Sequence, residues 1–184
     1  MESNLRVEGY VVVCDDDKLC DANGEMPDAL KNDAEWAFFQ AGLDAADVCV
    51  LGRKSHEATP NHKNRKRLVL TRSVSGVQAD GKVVNWNPAD ATLEVALAAF
   101  DSDVRHLAVA GGQAVFDYFL AGTHRYTRFH LSRVHGVQIA GGRAVFSSLE
   151  SDTTLRAEHV LERNGYAPLE QQTLDKGVDV VSWG

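Results

Sequence analysis

The chain has 184 residues, of which 44% are hydrophobic and 24% charged, and its formal net charge is −7. This length and composition predict a single domain over residues 1–184 with one substantial core. The acidity argues against nucleic-acid binding, no apolar run is long enough to span a bilayer, and the first residues do not form a secretion signal. With three cysteines that lack paired spacing, we expect a reduced, cytoplasmic protein without a membrane partner.

The predicted elements alternate between strands and helices over the first 120 residues. We predict strands at residues 9–14, 47–51, 67–71, 82–85, 106–112 and 129–134, and helices at residues 27–43, 87–100 and 113–120. A C-terminal hairpin is predicted in which residues 159–163 pair with residues 178–183. This order predicts an α/β fold of three layers, with a mostly parallel central sheet and helices on both faces.

Ligands of such sheets bind where the parallel strands end, and two predicted strands run through glycine into a helix. At Gly111-Gly112 the backbone could approach a phosphate closely at the start of the following helix. At Gly52 the turn also carries Arg53 and Lys54, and Arg72 ends the next strand. Three cations near one helix start suit a phosphomonoester such as the 2′-phosphate of NADP.

Asp33 lies early in the predicted first helix and has two interpretations. Its carboxylate is either a partner of the helix dipole at a partly exposed site, which the sequence alone favours, or a semi-buried acid that faces a cleft. The seven histidines are scattered without the spacing of metal ligands, so we predict no metal site.

Taken in order, these segments resemble the dihydrofolate reductase superfamily, which includes the reductase domain of bifunctional riboflavin-biosynthesis enzymes. The resemblance covers roughly residues 9–149 and rests on NGEMPDALKNDAEWAFF, VLGRKSHE, NRKRLVLTR, AVAGGQAVFDYFL and FHLSRV. It implies a dihydrofolate reductase-like fold and an NADPH-dependent reductase. The implied substrate is a pterin or a related aminopyrimidine, such as the phosphoribosylaminouracil of the riboflavin pathway.

The resemblance also implies roles for individual residues. Asp33 matches the carboxylate that anchors the pterin and promotes its protonation, and Ser132 matches the hydroxyl residue that supports this carboxylate. Met26 and Trp36 match residues near the pterin, and Arg65 matches the arginine that holds the α-carboxylate of folate. The residues implied to hold NADPH are Gly52, Arg53, Lys54, Ser55, Thr71, Arg72, Ala110, Gly111, Gly112, Gln113 and Phe116.

Departures from the family pattern leave several alternatives open. Asn61-His62-Lys63-Asn64 replaces the family's Pro-Leu-Pro-Gly before the arginine, Gln113 replaces a glycine, and Phe116 replaces a tyrosine. A riboflavin-pathway substrate would bring a phosphate for the basic residues at 63–66. The alternatives are a non-catalytic NADPH- or nucleotide-binding protein of the same fold, or a protein that binds RNA through KNRKR at residues 63–67. Likeness to riboflavin-type reductases also implies a homodimer.

Overall fold

A nine-stranded sheet forms the centre of the protein in the computed structural model, which describes residues 5–184. The first four residues, on which the prediction about a secretion signal partly depends, lie outside the described part. In chain order the strands are β1 (Arg6–Val13), β2 (Lys18–Cys20), β3 (Val48–Gly52), β4 (Arg67–Leu70), β5 (Val77–Asp80), β6 (Val83–Trp86), β7 (His106–Gly111), β8 (Arg128–Val134), β9 (Arg143–Ala144), β10 (Pro168–Asp175) and β11 (Val178–Trp183). The helices are α1 (Asp33–Ala45), α2 (Arg53–Ala58), α3 (Leu93–Leu97), α4 (Gln113–Leu120), α5 (Ser148–Ser151) and α6 (Ala157–Arg163).

The order of strands in the sheet is β10-β11-β8-β1-β7-β3-β4-β6-β5. The six inner strands, from β8 to β6, are all parallel to one another. The antiparallel pairings lie at the two edges, where β11 joins β8 and β10, and β5 joins β6. The mostly parallel α/β fold with antiparallel C-terminal strands is therefore confirmed.

Both faces of the inner strands are covered, which explains why these strands read as nearly continuous apolar runs. Along β1, Val11 and Val13 lie in the main core, to which α3, α4 and α6 contribute their apolar sides. Tyr10 points to the opposite face and packs with Leu43 of α1. Helix α1 approaches this face closely at Gly42, where an added Cβ would lie 2.4 Å from ring atoms of Tyr10.

Three predicted elements differ from the structure. The helix predicted at 27–43 divides into a 3-10 turn at Asp28–Leu30 and α1, which begins at Asp33 after Asn32 caps it. The helix predicted at 87–100 is reduced to α3, because Asn87 closes a turn instead. The prediction of a strand at 159–163 was wrong, since Ala157, Val160 and Leu161 form the buried side of α6. The strand that pairs with β11 is β10.

None of the helices within residues 5–184 combines the length and the hydrophobicity that crossing a bilayer requires.

Candidate functional site

Two strand-to-helix junctions meet at the carboxyl edge of the parallel sheet. Strand β3 passes through Gly52 into α2, and its neighbour β7 passes through Gly111 and Gly112 into α4. The junctions are so close that an added Cβ on Gly52 would lie 3.9 Å from the backbone nitrogen of Gly112. Gly111 has a φ of +109°, and an added Cβ would lie 3.0 Å from the Phe116 ring, so the backbone fits here only as glycine. The peptide bond between Gly111 and Gly112 is cis.

The first turn of α4 is open to an anion. Its N-cap residue is Gly112, which offers no side-chain oxygen to the N–H groups of the turn. Helix α1 is different, because the Asn32 side chain accepts hydrogen bonds from both Ala34 and Glu35. An uncapped helix start of this kind presents free backbone donors and a positive dipole end to a phosphate.

The predicted phosphate-binding cations lie at the same edge. Gly52 pairs in register with Leu70, and Arg53 follows this pair by one residue and Arg72 by two. Lys54 and Arg72 are exposed, whereas Arg53 also donates a 3.0 Å hydrogen bond to Glu57 one turn along α2.

The hydroxyl residues at these junctions are less exposed than the cations. Thr71 is buried, and its hydroxyl accepts from the backbone of Ser73 and lies 2.7 Å from the Ser73 hydroxyl. Ser55 is half-buried in α2. Thr71 therefore shapes the turn that carries Arg72.

Two further residues predicted to hold the cofactor have their side chains engaged within the protein. Phe116 is 1% exposed and packs edge-on against Phe129, so its ring supports Gly111 from inside the core. The Gln113 amide donates to the carbonyl of Ala144 and to Glu150. Ala110, at the end of β7, faces the α1 side of the sheet and is half-buried.

The buried carboxyl group near the candidate site belongs to Glu35, which sequence reasoning missed. Asp33 is exposed at the first residue of α1, whereas Glu35, two residues later, turns to the sheet and is 5% exposed. Burial raises the pKa of Glu35 to about 7, and hydrogen bonding by the Ser132 hydroxyl acts in the opposite direction. Ser132 is itself buried on β8, and the acid that it adjoins is Glu35 and not Asp33.

The phase of α1 explains the difference between the two acids. The helix buries Glu35, Gly42 and Leu43, a spacing of seven and eight residues that follows the helical repeat. Asp33 is about 200° from Glu35 around the axis, since each residue turns the helix by about 100°. The correct phase could have been found by counting back from Leu43 once Asn32 was recognised as the N-cap.

Two exposed apolar side chains belong to the predicted substrate region. Met26, in the loop before the 3-10 turn, is 42% exposed, and Trp36 on α1 is 52% exposed. The Trp36 ring lies against Phe39 at a centroid distance of 5.5 Å. In the loop, the Asp21 carboxylate accepts from the backbone N–H groups of Asn23 and Glu25. This compact turn precedes Met26.

The basic run at residues 63–67 is engaged by partners within the chain. Lys63 and Arg65 both bind Asp44 on α1, and Lys66 binds Asp101 at 2.5 Å. Arg67 is buried and donates to the carbonyl of Thr59. This run is therefore a set of local ion pairs and not an open polycation.

Residues 5–184 contain no group of three or more His, Cys, Asp or Glu side chains placed to hold a metal ion. A cavity of about 340 Å³ adjoins the start of α4 and is lined by Gln113, Gly142, Arg143 and Glu150 among others. A larger cavity of about 640 Å³ lies between α3 and the end of α4 and is lined by Tyr118 and His124 among others. The smaller cavity is therefore the one that borders the candidate site.

Comparison with known proteins agrees with this geometry. A family model described as dihydrofolate reductase matches residues 9–153. A search of curated protein sequences gave no match.

Solved structures share the fold at low sequence identity. The crystal structure of a putative riboflavin biosynthesis protein from Shewanella sp. PV-4 matches with a TM-score of 0.67 and 16% identity, over 97% of this chain and 98% of that one. A diaminohydroxyphosphoribosylaminopyrimidine deaminase/5-amino-6-(5-phosphoribosylamino)uracil reductase from Thermotoga maritima matches with a TM-score of 0.64 and 16% identity. The match covers 97% of this chain and 56% of that protein, so this chain spans little more than half of its length.

Proposed function

Because the chain belongs to the dihydrofolate reductase family, we propose that it is an NADPH-dependent reductase of a pterin or a related aminopyrimidine. The observation that carries the proposal is the buried carboxyl group of Glu35, with a pKa of about 7 and the Ser132 hydroxyl beside it. A proton donor with a pKa near the working pH is what reduction of a C=N bond requires in addition to a hydride.

The glycine junctions and the cations fit NADPH. The uncapped start of α4 would receive the pyrophosphate, and the absence of side chains at Gly111 and Gly112 lets the cofactor approach the backbone. Arg53 and Arg72 would hold the 2′-phosphate, with Lys54 beside them. When bound, NADPH would supply the hydride, and the protein would position it against the C=N bond of the substrate.

Glu35 would act at the substrate ring. In its ionised form it accepts hydrogen bonds from two N–H groups on an amino-substituted ring edge. In its protonated form it supplies a proton to the bound substrate. Ser132 supports the ionised form by hydrogen bonding, so the pair balances the two states near neutral pH. Glu35 thus takes the role that the family resemblance implied for Asp33.

The choice between ring systems is part of the proposal. Dihydrofolate reductases act on a pterin, and the Thermotoga protein is described as a reductase of an aminouracil. Both rings carry an amino-substituted edge that a carboxylate can bind in the same way. The proposal includes a cytoplasmic location, which agrees with the three buried cysteines being unpaired.

The cofactor proposal is tested by titrating NADPH and NADH against the protein and against an Arg53→Ala/Arg72→Ala double variant. We expect the wild-type protein to prefer NADPH, and the double variant to bind NADPH about 100-fold more weakly, because two charge-assisted contacts are lost. Affinity for NADH should not change.

Arg105→Ala is the matched control, because it removes an exposed arginine that is paired with Asp103 outside the site. Equal affinity of the wild-type protein for the two cofactors would contradict the proposal. Oxidation of NADPH with dihydropterins and aminopyrimidines then tests turnover. Tight NADPH binding without turnover of any such ring would favour the non-catalytic alternative.

A further inference from the structure

The C-terminal end of α1, beyond Glu35, takes part in an ion-pair cluster with Arg65 and Lys63. Arg65 donates through Nε and Nη2 to one oxygen of Asp44, at 3.0 and 2.5 Å, and through Nη2 to the Gln40 amide oxygen at 2.7 Å. The second oxygen of Asp44 accepts from Lys63 at 2.7 Å. Both carboxylate oxygens and one edge of the guanidinium are therefore occupied from within the chain.

This cluster lies further along α1 from Glu35. Asp44 is nine residues beyond Glu35, which corresponds to about 13 Å along the helix axis. Trp36, Gln40 and Asp44 are spaced by four residues and so form a stripe along one side of α1. A substituent that leaves a ring held at Glu35 and follows this stripe reaches Arg65 at its end.

Arg65 is poorly placed to receive an anion at that point. Bidentate capture of a carboxylate needs two free N–H groups on one edge of the guanidinium, and the Nε edge is used by Asp44. Arg65 is also only 17% exposed in its side chain. An incoming carboxylate or phosphate would have to displace Asp44 or lie next to its negative charge, which is repulsive.

We propose that Asp44, with Gln40, determines substrate specificity by keeping Arg65 occupied, so that this reductase prefers rings without an acidic tail. The inference rests on the proposed function, because it assumes that the ring binds at Glu35. Specificity arises here from an element that repels one class of substrate and leaves the ring contacts unchanged. Asp44 and Arg65 are therefore specificity residues, whereas Glu35 is the residue that meets the ring.

The test compares two pairs of compounds that share a ring and differ in the tail. The pairs are 6-methyl-7,8-dihydropterin with 7,8-dihydrofolate, and 5-amino-6-ribosylaminouracil with its 5′-phosphate. We expect the wild-type protein to favour the member without the acid at least about 10-fold in kcat/KM. Asp44→Asn, which keeps the shape and removes the charge, should raise kcat/KM for the acidic member about 10-fold. In the same variant, kcat/KM for the compound without the acid should change less than about twofold.

Two further variants isolate the cause. Asp101→Asn is the matched control, because it breaks the Lys66 ion pair, which does not include Arg65. This variant should leave kcat/KM unchanged for both members of each pair of compounds. Asp44→Asn/Arg65→Ala should lose the gain for the acidic member, because the freed guanidinium is then absent. A gain that persists without Arg65 would overturn the inference.

Binding measured by quenching of tryptophan fluorescence separates this inference from the proposed function. If the compounds without the acid bind more tightly than their partners but none is reduced by NADPH, the proposed function fails and the inference stands. If an acidic compound is bound and reduced at least as well as its partner by the wild-type protein, the inference fails and the proposed function stands. Weaker binding of the acidic compounds by Asp44→Asn than by the wild-type protein would also overturn the inference, since Asp44 would then orient Arg65 for an anion. Failure of the compounds without the acid to bind at all overturns the inference as well.

Discussion

Two glutamates on the same face of the sheet have opposite properties. Glu8, early in β1, has a pKa lowered to about 2, while Glu35, on the helix above this face, has a pKa raised to about 7. Both side chains are shielded from water. Burial alone therefore does not decide the ionisation of either group.

The difference lies in their partners. His130 at 3.4 Å is the main cause of the lowered pKa of Glu8, and the Tyr10 hydroxyl adds a 2.7 Å hydrogen bond against the cost of burial. His106 lies 3.7 Å away on the next strand. Glu35 has Ser132 as the partner that opposes its burial. A carboxylate with several donors is a structural anion, and one with a single hydroxyl is ready to exchange a proton.

The largest expected effect comes from removing the reactive carboxyl group. Glu35→Gln should lower NADPH-dependent turnover by about 100- to 10 000-fold, because the amide cannot donate the proton that the reduced ring needs. The wild-type rate should fall as pH rises through about 7, as the carboxyl group loses its proton. This pH dependence should be absent from the residual activity of the variant.

Asp33→Asn is the matched control on the same helix. Because Asp33 is exposed, the variant should keep both the rate and the pH profile. A large loss in Asp33→Asn with little change in Glu35→Gln would return the catalytic role to Asp33.

The two glutamates should make the free energy of unfolding depend on pH in opposite directions. Glu8 contributes stability that is present above its ordinary pKa of 4.5 and lost as pH falls towards about 2. Glu35 does the reverse, since its contribution is present below 4.5 and lost as pH rises through about 7. Each shift corresponds to roughly 3 kcal/mol in the free energy of unfolding.

Urea denaturation at a series of pH values measures both slopes. Glu8→Gln should remove the increase in the free energy of unfolding between pH 2 and 4.5, and should lower that free energy by about 3 kcal/mol at pH 7. Glu35→Gln should remove its decrease between pH 4.5 and 7. Glu25→Gln, in an exposed loop, should leave both slopes in place. A Glu8→Gln protein as stable as the wild type at pH 7 would mean that the histidines do not hold this carboxylate.

The sequence predicts the central sheet well and the candidate site only in part. The buried strands are continuous apolar runs, so β3 and β7 and the glycines that end them could be located without the structure. Strand β10 is different, because it is an exposed edge strand whose residues, PLEQQTLD, lack an apolar face. Its pairing depends on β11, which local pattern does not reveal.

The differences between the predicted and the observed surroundings of the site residues also have physical causes. The sequence pattern predicts that the first helix begins at Pro27. The chain makes a 3-10 turn there and α1 begins after Asn32, so Glu35 and not Asp33 lies on the buried side. Arg65 was predicted to meet a substrate anion, which is untested, but it is engaged by Asp44, 21 residues earlier in the chain. Local periodicity could have identified Glu35, whereas the ion pair required the tertiary structure.

The smallest expected effect concerns the Ser132 hydroxyl beside Glu35. Ser132→Ala removes the hydroxyl that favours the ionised carboxylate, so the pKa of Glu35 should rise and the fall in activity should move to higher pH, by less than about one unit. Ser182→Ala is the matched control, because its hydroxyl lies 2.7 Å from His130 in the surroundings of Glu8. A pH-rate profile of the three proteins with NADPH and the best ring substrate makes the comparison. If Ser182→Ala moved the profile as far as Ser132→Ala, the two glutamates would titrate as one network and not as separate groups.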